Sequence, residues 1–253
     1  MNNCRNHDYS VSVVMATYNG EKYLHQQLKS ILSQLTEKDE VIIVDDVSKD
    51  STINIIQSFN DYRIKLYKNE INVGVIKSFN RGLGLVKNDI IFLSDQDDIW
   101  QDYKVETILA TFVENQNICL IVSDASVIDS NGNIIYDSFM KNIGNFKYGL
   151  INNIIKNKFL GCTLAMRKTL LSFALPIPNQ VPMHDIWLGC IGQLFGKIFF
   201  IDKQLIYYRR HNANVTKHYR STIIQVLVWR LRLIHCLLDR YISIFIKMNI
   251  EKI

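Results

Sequence analysis

The stretch IIFLSDQDDIW, Ile90 to Trp100, decides how this chain is read. Five hydrophobic-leaning residues, Ile90 to Ser94, lead straight into Asp95, Asp97 and Asp98. An apolar run without alternation fits a strand buried on both faces. Carboxylates this close repel one another unless a cation stands among them. A divalent metal meets that need. The alternative is a polar cap on a helix beginning after Trp100.

The same grammar recurs upstream. SVVMATYNG is an apolar run that stops at Thr17, Tyr18 and Asn19. EVIIVDD is a second, ending in Asp45 and Asp46. RIKLYKN alternates as a third strand and is followed by Asn72 and Gly74. Helical patterns lie between them. Tyr23, Leu24, Leu28, Ile31, Leu32 and Leu35 recur at helical spacing, Ser51 and Thr52 open a helix through Phe59, and NVGVIKSFNRGL enters another. The order β-α-β-α-β-α-β predicts an α/β fold with a mostly parallel sheet covered by helices. In such sheets ligands bind beyond the carboxyl ends of the strands. Four strand ends carrying polar residues therefore predict one shared cleft.

The second half is less regular. CLIVSDASVIDSNGNIIYDS predicts a strand and a hairpin turning at Asn131 and Gly132. KFLGCTLAMRKTLLSFALP predicts a strand through Gly161, Cys162 and Thr163, then a helix. PMHDIWLGCIGQLFG predicts a short helix, and KIFFIDKQLIYYRRH two further strand-like pieces. The 253 residues suffice for one large domain, and apolar residues at 48% with charged residues at 21% are ordinary for a globular chain. A net charge of +5 is too mild to indicate a nucleic acid polymer as partner. Five scattered cysteines without a Cys-x-x-Cys pair fit reduced thiols in a cytoplasmic protein.

With these motifs in order, the chain from Ser10 to Thr216 resembles a family-2 glycosyltransferase of the nucleotide-sugar-binding GT-A fold. EVIIVDDVSKDST resembles the family's second strand and its Asp-Asp-x-Ser-x-Asp turn. SDQDDIW and HDIW resemble its Asp-x-Asp metal motif and its late acidic motif, in forms common among rhamnosyltransferase-like members. YRRHNANVT resembles the element that closes the domain. One departure is Val47, where many members carry glycine. It suggests that the turn is not left-handed here, or that the position varies.

The resemblance implies an inverting sugar transfer from a nucleoside-diphosphate donor, dTDP-rhamnose or a UDP-hexose, to a hydroxyl of a growing cell-surface glycan. Mn²⁺ or Mg²⁺ would offset charge on the departing diphosphate. Asp97 is the expected direct ligand with His211 beside it, while Asp95 would hold a ribose hydroxyl or a metal-bound water. Asp98 would orient the loop, Arg209 and Arg210 would neutralise phosphate, and Asn214 would fix the closing segment. Asp46 would accept from the pyrimidine N–H and Tyr18 would pack on the base, with Thr17 beside them. From the residues alone, Asp46 equally fits a cap of its own turn. Lys77 reaches either the donor or solvent. Asp185 is the expected general base. His184, Trp187, Gly161 and Thr163 would line the acceptor side, although Trp187 equally fits the core.

These implications divide the chain into a GT-A domain over residues 1–220 and a basic amphipathic helical tail over 221–253. Within the domain, about 10–110 would be the nucleotide-binding half and about 111–220 a smaller mixed acceptor half. Arg230, Arg232, Arg240 and Lys247 interrupt the apolar tail. It fits a helix lying peripherally on the inner face of a membrane, near a lipid-linked acceptor, and equally one packing on the domain or on a second copy. A dinucleotide-binding enzyme is disfavoured because ATYNGEKY lacks the Gly-x-Gly-x-x-Gly turn. A catalytically silent sugar-binding relative of the same fold is disfavoured because Asp97, Asp185 and His211 occur together.

Overall fold

The computed structural model describes residues 9–211 and 222–250. The first half runs β1 (Val11–Thr17), α1 (Leu24–Leu32), β2 (Glu40–Asp45), α2 (Thr52–Ser58), β3 (Ile64–Lys68), α3 (Val75–Leu83) and β4 (Ile90–Ser94). Next come β5 (Ile99–Trp100), α4 (Lys104–Glu114), β6 (Ile118–Ile128), β7 (Ile134–Tyr136), α5 (Phe139–Asn142) and α6 (Leu150–Ile155). The last are β8 (Leu164–Arg167), α7 (Leu171–Ala174), α8 (His184–Phe195), β9 (Lys197–Arg209) and α9 (Ile223–Ile250).

Among the described residues the strands form one mixed sheet in the order β3-β2-β1-β4-β8-β6-β9-β5, with β7 on β6. Strands β1 to β4 pair in parallel, as the alternation of strands and helices requires. β8 then enters antiparallel between β4 and β6, and β9 runs parallel to β6. Thr17 stands opposite Asp45 and Met15 opposite Ser94, so β1, β2 and β4 end on one edge. Alternation splits β1 between two cores. Val11, Val13 and Met15 meet Leu24, Leu28 and Ile31 of α1, while Val14 meets Phe79 and Leu83 of α3. Gly82 lets α3 lie close, since a Cβ there would stand 2.6 Å from Val14 Cγ1.

Four local expectations need correction. The turn after β2 is left-handed at Val47, with φ 68°. The Asp45 carboxylate accepts from Ser48 N at 3.0 Å and Ser48 Oγ at 2.5 Å, which pulls the chain back on itself and forces that conformation on a β-branched residue. Gly161–Thr163 is a turn of 3-10 helix, and the strand begins only at Leu164. The two strand-like pieces after Gly196 are one strand, β9, interrupted by register shifts against β6. A helix does follow Trp100, α4 from Lys104, but its N-cap is Tyr103 and not one of the aspartates. Ile99 and Trp100 pair with Tyr207 and Ile206 of β9, so Asp98 faces β9 rather than capping a helix.

The tail is helical. Leu233, Cys236 and Leu237 of α9 are buried against the domain, and Arg240 donates to the carbonyls of Phe173, Leu175 and Pro176. No helix among the described residues is long and apolar enough to cross a membrane.

Candidate active site

A cavity of about 470 Å³ opens at the edge where β1, β2 and β4 end. Its walls include Tyr18 from the β1 end, Asp46 from the β2 end, Asp95 and Asp97 from the β4 end, and His184 and Asp185 from α8. The strand-end carboxylates thus meet a late acidic residue in one cleft.

Asp46 is held by the loop that follows β3. Its Oδ1 accepts from Asn69 Nδ2 at 2.8 Å and Val73 N at 2.9 Å, and its Oδ2 from Gly74 N at 2.8 Å. Gly74, at φ 85°, is the N-cap of α3. Asp46 therefore fastens the Asn-x-Gly loop, and its own turn is closed by Asp45 instead. A carboxylate has about four acceptor directions, so these three bonds leave one on Oδ2. Thr17 lines the cavity, but its hydroxyl is spent on Asp45 Oδ2 at 3.0 Å. Tyr18 is 46% exposed, and its backbone is clasped by Gln96: Tyr18 N donates to Gln96 Oε1 at 2.9 Å, and Gln96 Nε2 to Tyr18 O at 3.1 Å. Gln96 was not singled out in the sequence, where it is only the middle of the Asp-x-Asp motif. Gly20 makes the clasp possible, because a Cβ there would lie 2.3 Å from Gln96 Oε1. Lys77 is exposed and absent from the cavity wall, where Ser78 stands instead.

The aspartates after β4 divide by environment. Asp97 borders both this cavity and a second one containing Arg210 and His211, and its Oδ2 lies 2.7 Å from His211 Nε2. Asp98 turns inward and accepts from Arg209 N at 2.9 Å. Arg209 is only 2% exposed; its Nε donates to Asp97 O at 2.8 Å and its Nη2 to Gln26 Oε1 at 3.1 Å, over the Tyr23 ring. That corrects the phosphate reading of Arg209, which braces the acidic loop from behind. Arg210 borders the second cavity, and Asn214 lies outside the described residues.

Behind the loop, ligand atoms of Asp95, Asp98 and Cys162 lie within 4.8 Å of one another, a cluster that could coordinate a divalent metal. Burial raises Asp95 to about 7, helped by the charges of Asp97 and Asp185. Burial raises Asp98 well above the carboxylate range, and it raises the Cys162 thiol likewise. A neutral thiol and an enclosed Asp98 suit a hard cation poorly; the oxygens of Asp95 and Asp97, which face the cleft, suit it better. Lys104 is fully buried, donates to Cys162 O at 2.7 Å and sits over the Trp100 ring. Burial lowers it to about 8. Neither Cys162 nor Lys104 carried a site signal in the sequence; Lys104 reads there as an ordinary helix-start lysine.

Asp185 lies in the first turn of α8 and accepts from Ile186 N at 2.5 Å. Burial raises it to about 7, against the lowering effect of N–H groups that include Gly161. His184 stacks on Phe79 with centroids 3.9 Å apart. It is 2% exposed, neither ring nitrogen has a hydrogen-bond partner, and burial lowers it to about 3, so the ring is neutral. Gly161 eases this approach, since a Cβ there would stand 3.0 Å from His184 Nε2. Two acceptor-side expectations are overturned. Trp187 is fully buried and donates Nε1–H to Ala174 O at 2.8 Å, so it is core. Thr163 is buried, closes its own turn by donating to Leu160 O at 2.7 Å, and does not line the cavity.

The family model for glycosyl transferase family 2 matches residues 12–172. A UDP-Glc:alpha-D-GlcNAc-diphosphoundecaprenol beta-1,3-glucosyltransferase of Escherichia coli is 31% identical over 73% of this chain and 70% of its own. A dTDP-rhamnosyl transferase of Shigella flexneri is 31% identical over 79% of this chain and 72% of its own. Among solved structures, S. aureus TarS 1-349 superposes with a TM-score of 0.64 at 25% identity, covering 79% of this chain and 60% of that one. This chain therefore spans about three fifths of that structure's length.

Proposed function

This chain belongs to glycosyl transferase family 2, and from that premise we propose that it transfers a sugar, with inversion, from a nucleoside-diphosphate donor to a glycan hydroxyl. The observation that carries the reading is convergence: Asp46, Asp95, Asp97 and Asp185, from three separated segments, border one cavity. The remaining acceptor direction on Asp46 receives the pyrimidine N–H, and the exposed Tyr18 ring flanks the base. Asp97 and Asp95, with His211, would hold Mn²⁺ or Mg²⁺, which would offset charge gathering on the departing diphosphate.

Asp185 takes the proton of the acceptor hydroxyl as that oxygen attacks. A value of about 7 suits a general base working near neutrality. A single displacement inverts the anomeric centre. Neutral His184, stacked on Phe79 beside Asp185, forms part of the cavity wall on the acceptor side. The donor is dTDP-rhamnose or a UDP-hexose. The rhamnosyltransferase-like forms of SDQDDIW and HDIW favour the first, and the glucosyltransferase named above keeps the second. A lipid-carried glycan is the acceptor class that the E. coli relative's name supports.

The test is a panel of nucleotide sugars with and without Mn²⁺, read as transfer or slow donor hydrolysis. Turnover of one donor that disappears with chelator is expected. Absence of metal-dependent binding and of turnover across UDP- and dTDP-sugars would overturn the assignment.

A further inference from the structure

Much of one face of α9 is exposed among the described residues, with Tyr241 at its border stacked on Phe195 of α8 at 6.1 Å between centroids. Leu233, Leu237 and Arg240 turn toward the domain. A different row points outward: Ile224, Leu231, Leu238 and Phe245 recur every seventh residue and are all exposed. Leu227, Ile234 and Tyr241 fall three residues after the first three of these, and they too are exposed. The spacing is thus three-four-three-four-three-four, an unbroken apolar seam over three heptads. That is the repeat with which one helix packs along another. A seam of 21 steps at about 1.5 Å is roughly 32 Å long.

We propose that this seam is a homodimer interface, on which α9 of a second copy of the chain lies side by side. Three observations choose a second copy. The first is continuity, since the apolar row runs without a break from Ile224 to Phe245 and gives two helices a matching seam along its whole length. The second is charge. Lipid headgroups recruit clusters of exposed basic residues. Here Arg240 is spent on carbonyls of the domain, and Arg230 reaches Ile155 O at 3.4 Å. The polar strip of the helix is mixed, carrying Arg232 and Lys247 alongside a His235–Asp239 pair at 3.3 Å. The third is area. Seven large, roughly half-exposed side chains present roughly 600–700 Å² per copy, near the ~800 Å² per partner of a standard interface and at or above the largest patch a monomer usually leaves bare. A two-fold contact needs only that the seam match itself, and the active-site cleft contains no residue of α9.

The experiment is sedimentation velocity on the full chain, unmodified and as Leu231→Glu/Leu238→Glu. Both positions are exposed, so the fold should persist, and far-UV circular dichroism checks that it does. The unmodified chain is expected to sediment as a dimer at micromolar concentration and the double variant as a monomer with unchanged helix content. Arg232→Glu, on the polar strip, should remain dimeric. A monomeric unmodified chain would overturn the proposal, as would a dimer that survives the double substitution or is lost equally with Arg232→Glu. Binding of the monomeric chain to phosphatidylglycerol vesicles, abolished by Leu231→Glu/Leu238→Glu, would overturn it in favour of a lipid surface.

Discussion

His211 Nε2 and Asp97 Oδ2 stand 2.7 Å apart although 114 residues separate them in sequence. The contact joins the end of β9 to the loop after β4, at the boundary of two cavities. If the pair holds the metal, Asp97→Asn should weaken Mn²⁺-dependent binding of the nucleoside diphosphate by at least about tenfold, and His211→Ala by a smaller factor, because an imidazole contributes less than a carboxylate to a hard cation. Calorimetric titration with and without metal is the check. Unchanged metal dependence in Asp97→Asn would remove it as a ligand.

Asp185→Asn separates base from binding. Turnover should drop by about a hundredfold or more while donor affinity changes little. If Asp185 is the base, kcat/KM of the unmodified chain should fall about tenfold per unit below pH 7, because the carboxylate must be ionised and its value is raised to about 7. Near-normal turnover in the variant would exclude this base.

The same group sets a stability trend. Its folded value of about 7 exceeds the unfolded 3.8, so the folded state binds the extra proton between these values. Its contribution to stability is complete below about pH 4 and is lost as pH rises through 7. Three units correspond to on the order of 4 kcal/mol. Asp185→Asn should therefore match the unmodified chain near pH 4 and exceed it in urea resistance at pH 8. Parallel stability curves would contradict the burial argument.

Val47→Gly should stabilise the chain. A β-branched residue at φ 68° costs about 1–2 kcal/mol, while glycine's added chain entropy returns part of that. The expected net gain is about 0.5–1 kcal/mol, or roughly 1–4 °C in Tm. Differential scanning calorimetry would expose an unchanged or lowered Tm.

Lys104→Met removes the only charge-bearing donor to Cys162 O among the described hydrogen bonds. The buried carbonyl of Cys162 then loses its charged donor, at a cost of about 1.5–3 kcal/mol. Urea unfolding tests this. A loss within the roughly 0.5 kcal/mol scatter of surface substitutions would mean that Lys104 is dispensable there.

The sequence by itself determined the sheet's parallel half and the position of its cleft. An unbroken apolar run such as Ile90–Leu93, set in an alternation with helical patterns, fits a strand covered on both faces, and its polar end then lies at the sheet edge. Asp46, Asp95 and Asp97 were legible for that reason, while Asp185 was legible only through the resemblance of HDIW to a late acidic motif. Tertiary structure decided which polar groups are spent on the protein itself. Asp46 braces the loop before α3, Arg209 grips the back of the acidic loop, Trp187 and Thr163 bond inward, and Lys104 is buried. Residue spacing fixes which face of an element a side chain occupies. What that side chain meets depends on segments that arrive from far along the chain, as β9 does when it carries Arg209 and His211 to the aspartates after β4. A buried polar group must find its partner there, whatever its own neighbours suggest.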